Sequence, residues 1–221
     1  SNTTLALFLF SLFFFVAALL FSLYPSKILT WVGKILNPFF LLFLSILVIV
    51  SLINPTASIS SVEPSASYQT GTFFKGFLEG YNTMDALASL AFGIIVVNVI
   101  KDLGITEAND ISKNTILSGF FSCLLMAIIY LATTVVGVQS RGAFSVSANG
   151  GIALAEIAHY YLGTFGFVIL AITVTLACLK TSVGLITSCS ETFSGLFKKG
   201  PSYKAWVYIF TLTSFLISNV G

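Results

Sequence analysis

From Thr4 to Tyr24 the chain carries no charged side chain, and long apolar runs recur all the way to its end. A run of about 18 apolar residues is long enough to cross a bilayer as a helix. Inside hydrocarbon every backbone N–H and C=O must be paired within the protein, which leaves helices or closed barrels. Barrel strands alternate apolar and polar residues over about ten positions. These runs are unbroken, so they read as helices. Composition agrees: 57% of residues are apolar and 8% are charged, where soluble domains carry about a quarter charged residues. The expected fold is an all-α integral membrane protein.

Six spans are expected, at about 4–24, 37–53, 73–100, 115–138, 163–192 and 203–219, with an outer amphipathic helix at about 151–162. Together they form one transmembrane domain. Asn37-Pro38 suits a helix start, because proline in the first turn gives up no needed hydrogen bond. Residues 54–72 form a polar Ser/Thr/Pro-rich loop, and residues 101–114 a charged interfacial loop or short helix. The links after spans one, three and five hold Lys27, Lys34, Lys101, Lys113, Lys198, Lys199 and Lys204, whereas the opposite set holds Lys75 and Arg141. The positive-inside rule puts the first set in the cytoplasm, with Ser1 and the Ser/Thr-rich loop outside.

The chain has no initiating Met and opens almost directly into a span, so it is expected to be a piece of a longer protein. The net charge of +2 is spread out, with no basic stripe for nucleic acid. Cys123, Cys178 and Cys189 lie inside spans without metal-ligand spacing and read as small packing residues. His159 reads as a surface residue of the short outer helix. No nucleophile elbow, zinc motif, phosphate loop or nucleotide fingerprint is present, so nothing points to an enzyme or a cofactor.

One span is unlike the others. Gly80, Tyr81, Asn82, Thr83, Met84, Asp85 and Leu87 sit in a segment whose downstream half is apolar. Gly, Asn, Thr and Asp loosen a helix or compete for its hydrogen bonds. A loosened backbone at membrane depth survives only where it is buried in protein or lines a cavity. The patch therefore reads as the lining of a site. Within it Asp85 either meets a substrate's ammonium or a proton or, as the preferred reading, caps the helix that resumes after Thr83.

Span five holds Cys178, Lys180, Thr181 and Ser182. The carbonyl of Cys178 with the hydroxyls of Thr181 and Ser182 would make half of a hard-oxygen site for a small cation. On spacing alone, the plainer reading is that both hydroxyls bond back to their own helix. Lys180 is nearly central, where a charge costs at least about 2.5–3.5 kcal/mol. Either it modulates or replaces a coupling ion, or it reaches toward the inner interface.

The stretch from Glu79 to Ala88, followed by Phe92-Gly93 and Ile95-Val96-Val97-Asn98, resembles the sixth helix of the bacterial branched-chain amino acid:cation symporters. Ala177-Cys178-Leu179-Lys180-Thr181, with Gly184-Leu185 and Ser190-Glu191, resembles their eighth helix. Tyr24-Pro25-Ser26-Lys27 and Ser202-Tyr203-Lys204-Ala205 resemble junctions around the fourth and ninth. The resemblance implies family helices four to nine of a LeuT-type inverted-repeat transporter, with the sixth broken at mid-membrane. It also reverses the preference at Cys178, Thr181 and Ser182 toward a Na⁺ site. The implied function is uptake of leucine, isoleucine or valine with Na⁺ or H⁺ by alternating access, across a bacterial inner membrane. The implied partners are the lipid bilayer and the remaining helices of the parent protein, especially its first. A passive channel or a structural subunit of a membrane complex is the alternative; the first needs a polar stripe along one span, and the second needs no polar break.

Overall fold

The computed structural model describes residues 2–24, 27–65, 68–197 and 199–220, with side chains for all of these but 2, 3, 27–33 and 36. The expectations resting on Ser1, Pro25, Ser26, Lys198 and the side chain of Lys27 lie outside the described residues. Among the described residues seven helices follow in order: α1 (Asn2–Leu23), α2 (Lys27–Ile53), α3 (Thr72–Tyr81), α4 (Asp85–Asp102), α5 (Ala108–Ser140), α6 (Gly150–Leu196) and α7 (Tyr203–Ser218). A single 3-10 turn at Ile59–Ser61 interrupts the loop after α2. Among the described residues there is no strand.

Among the described residues four segments are long and apolar enough to cross a membrane: Thr4–Leu23, Thr72–Asp102, Ala108–Ser140 and Gly150–Leu196. Asn37–Ile53 is a shorter apolar stretch. α1 shows why water is the wrong solvent. It presents Leu7, Phe10 and Phe13 on its exposed surface while Ala18 is fully buried. A helix that is apolar on every face belongs in a core or in lipid. The protein is a multi-pass membrane protein.

Two boundaries differ from the expected ones. α2 starts at Lys27, so Pro38 lies inside the helix and not in its first turn. The missing proline N–H costs one bond to the carbonyl four residues back, and membrane helices tolerate this where neighbours satisfy the freed group. α5 starts at Ala108, so its first two turns take up the second half of the segment read as interfacial, with Asp110 and Lys113. Its 33 residues span about 50 Å at ~1.5 Å each, more than the ~30 Å of hydrocarbon. The polar turns can therefore stand outside it. α6 is not continuous either. Gly163 has φ +64° and ψ −163°, which separates an arm at 150–162 from one at 164–196.

The chain forms two compact units. One comprises residues 1–37, 88–96 and 175–221. Ala18 of α1, Val183 and Ile186 of α6 and Val207 of α7 form its buried centre. The Tyr203 hydroxyl donates to the Ser22 carbonyl at 2.8 Å, which ties the start of α7 to the end of α1. The other unit comprises residues 38–87 and 97–174. Phe43 and Leu47 of α2, Val136 of α5, and Ile157, Ala158 and Leu170 of α6 make its core. At one end of this unit Thr56 donates to the Gln139 carbonyl at 2.5 Å and Tyr161 to the Asn54 carbonyl at 2.7 Å. A Cβ on Gly142 would run into the Thr56 carbonyl, so glycine there permits the loop's close approach.

Candidate functional site

In the second unit, the segment expected to loosen is broken. α3 ends at Tyr81 and α4 begins at Asp85. Between them the Asn82 N–H bonds to the Leu78 carbonyl at 2.9 Å, and the Met84 N–H to the Tyr81 carbonyl at 3.1 Å. Met84 then turns left-handed, with φ +62° and ψ 12°. Among the described residues it is the one non-glycine with positive φ. That region costs an L-residue roughly 1–2 kcal/mol, and its use by a large side chain marks a functional or over-determined position. The Met84 side chain makes no capping hydrogen bond to the start of α4.

Asp85 is therefore not the cap. The cap position belongs to Met84, because the left-handed turn brings the helix in one residue earlier than the sequence suggested. The Asp85 carboxyl turns instead toward two hydroxyls. Its Oδ2 lies 2.5 Å from the Tyr130 hydroxyl of α5 and 2.7 Å from Thr83 Oγ1. Thr83 Oγ1 is also 2.7 Å from the Gly80 carbonyl. Tyr81, Met84 and Leu87 are 56%, 52% and 55% exposed, so the described chain does not by itself enclose a pocket around them. Glu79 pairs with Lys75 at 2.8 Å along α3.

In the first unit, Cys178, Thr181 and Ser182 share one face of α6 at i, i+3 and i+4 spacing. Cys178 and Thr181 are exposed and Ser182 is half-buried. The Thr181 hydroxyl donates to the Ala177 carbonyl at 3.0 Å. That spends its proton on its own helix and leaves its oxygen lone pairs for an electrophile. Lys180 has a partner: its Nζ donates to Asn37 Oδ1 of α2 at 3.2 Å. α4 packs on the same arm of α6. Ser188 donates to the Ala91 carbonyl at 2.6 Å, and the Phe92 ring lies 2.9 Å from where a Cβ on Gly184 would stand.

Sequence reasoning missed Tyr130 and Asn37. Tyr130 is a phenol in an otherwise apolar run, and a lone polar tip in such a run is a legible signal. Asn37 was absorbed into the reading of Asn37-Pro38 as a helix start.

The family model described as "Branched-chain amino acid transport protein" matches residues 1–221. The chain is 49% identical to the branched-chain amino acid permease BrnQ of Lactobacillus delbrueckii subsp. lactis, over 97% of this chain and 48% of that protein. It is 40% identical to BrnQ of Bacillus subtilis, over 98% of this chain and 48% of that protein. With BrnQ of Escherichia coli K12 the identity is 36%, over 100% of this chain and 49% of that protein. The chain thus spans about half the length of the curated relatives it matches, which are named as permeases and not as enzymes. No solved structure matches it.

Proposed function

This chain belongs to the branched-chain amino acid transport protein family, and from that premise we propose that the full-length protein is a secondary transporter. It moves leucine, isoleucine and valine inward with Na⁺ or H⁺ by alternating access. The observation that carries the reading is the break at residues 82–84 within a membrane-length segment.

A broken helix offers two charged ends at one place. The end of α3 carries carbonyls and the start of α4 carries N–H groups, with partial negative and positive character respectively. A zwitterionic amino acid matches both, ammonium toward the carbonyls near Gly80 to Thr83 and carboxylate toward α4. The Tyr81 carbonyl accepts one turn N–H already and keeps a second lone pair, whereas the Gly80 carbonyl also takes the Thr83 hydroxyl. Tyr81, Met84 and Leu87 supply apolar surface for a branched side chain. The Cys178 carbonyl with Thr181 and Ser182 forms the cation half-site, completed by another helix of a LeuT-type fold. Lys180, held by Asn37, is a fixed charge on the same turn that modulates the coupling ion.

Labelled leucine uptake by proteoliposomes of the full-length protein tests this, with an imposed Na⁺ gradient and then a proton gradient. Accumulation that valine and isoleucine compete with, and lysine does not, is expected under at least one gradient. Leucine that merely equilibrates under both would point to a passive pathway and sink the reading.

A further inference from the structure

A charge with no acidic partner adjoins the cation half-site. Lys180 directly precedes Thr181 and lies midway along the α6 arm at 164–196. A lysine at such depth calls for a partner or a water-filled cavity. Among the described residues no acidic side chain pairs with it. Its acceptor is Asn37 Oδ1 of α2, at 3.2 Å and across 143 positions of sequence. Both residues belong to the same compact unit. Local preference does not account for an asparagine at this point of α2. Asn is a weak helix former, and a residue before proline is pushed away from helical dihedrals. The helix nevertheless continues through Asn37 and Pro38, and the contact with Lys180 is what the Asn37 side chain contributes there.

The chemistry of the partner decides what the charge does. An amide oxygen orients an ammonium without cancelling its charge, whereas a carboxylate does both. Like charges a few ångströms apart repel strongly where water is scarce. A cation held by Thr181 and Ser182 therefore feels the Lys180 charge, and feels it less the farther the ammonium is kept from their face of α6. An ammonium released from Asn37 needs other acceptors. Thr181, whose oxygen keeps lone pairs after its hydroxyl donates to the Ala177 carbonyl, is the next residue along.

We propose that Asn37 is a positioning residue of the cation half-site: its amide holds the Lys180 ammonium on α2, away from the Thr181 and Ser182 oxygens, with the charge left intact. The hydroxyl oxygens stay open to the cation, and the uncancelled charge keeps its affinity low enough for release. The inference rests on reading Cys178, Thr181 and Ser182 as a cation half-site. It deepens that reading by naming the residue that sets the cation affinity.

The test titrates leucine uptake with Na⁺ in proteoliposomes of the full-length protein and reads the half-saturating Na⁺ concentration. Asn37→Leu keeps the size of the side chain and removes the acceptor, and the concentration is expected to rise severalfold. Asn37→Asp keeps the acceptor and cancels the charge, and the concentration is expected to fall severalfold. A side chain that merely supports α2 would not shift the two in opposite directions. Lys180→Met closes the cycle: with no ammonium to hold, adding Asn37→Leu is expected to change little. A second readout needs no transport, because bound Na⁺ raises the melting temperature of the detergent-solubilised protein in proportion to its affinity. No fall in Asn37→Asp, no rise in Asn37→Leu, or an effect of Asn37→Leu that survives Lys180→Met overturns the proposal and leaves the half-site in place. A wild type without Na⁺ dependence in either readout removes the half-site and the proposal with it.

Discussion

A hydroxyl in hydrocarbon has one proton to place, and Thr83 and Thr181 place theirs differently. Thr181 gives its proton to the Ala177 carbonyl, the back-bonding common in membrane helices. That habit does not disqualify it as a ligand, because cations take lone pairs and not protons. If Thr181 is a ligand of the proposed cation site, Thr181→Ala removes one ligand oxygen without creating an unpaired donor. The half-saturating cation concentration for leucine uptake is expected to rise about tenfold, equivalent to ~1.4 kcal/mol, with leucine affinity at saturating cation little changed. An unaltered cation dependence would remove Thr181 from the site. Thr83 instead stands between two acceptors, the Gly80 carbonyl of its own segment and the Asp85 carboxyl. The spacing of residue types announced the Cys178, Thr181 and Ser182 face. The direction of each hydroxyl was not in the spacing, since rotamers are chosen by neighbours.

Elements are interrupted here in three chemically distinct ways. Between α3 and α4 the chain uses Met84 in the left-handed helical region, which an L-residue enters at moderate cost. Inside α6 it uses Gly163 at φ +64° and ψ −163°, a region that is essentially glycine's alone. Nothing stands near the place of a Gly163 Cβ, so the demand is one of backbone and not of space. Gly163→Ala is expected to destabilise the protein by about 1–3 kcal/mol, read as a lowered melting temperature in detergent. An unchanged melting temperature would show that the two arms of α6 can join without the special dihedral. The third interruption, Pro38, leaves α2 helical on both sides and sits next to Asn37, the partner of Lys180. A proline marks where a helix is weakened, but whether the helix ends there depends on what packs around it. That is why a first-turn reading of Pro38 was reasonable from sequence and wrong in the fold.

For the whole molecule the bias of Lys and Arg between the two sets of links predicts the orientation given above. Cysteines introduced singly into a cysteine-free version of the full-length protein test it. Ser60→Cys, in the loop after α2, is expected to react with a membrane-impermeant maleimide in intact cells. Thr106→Cys, between α4 and α5, is expected to react only after permeabilisation. The reverse pattern would invert the assignment of faces. Membrane residence and helical class were determined by the sequence alone. Uninterrupted apolar runs leave the backbone no partner but itself, and a helix is the local solution. The place of the break at residues 80–85 was legible for the same local reason, since Gly, Asn, Thr and Asp weaken a helix wherever they cluster. What only the tertiary structure decided is which groups face that break and that half-site. Tyr130 reaches Asp85 across 45 positions of sequence, and Asn37 reaches Lys180 across 143. Contacts of that range depend on how helices pack, and packing is settled by the shapes of side chains from distant segments, which no local pattern encodes.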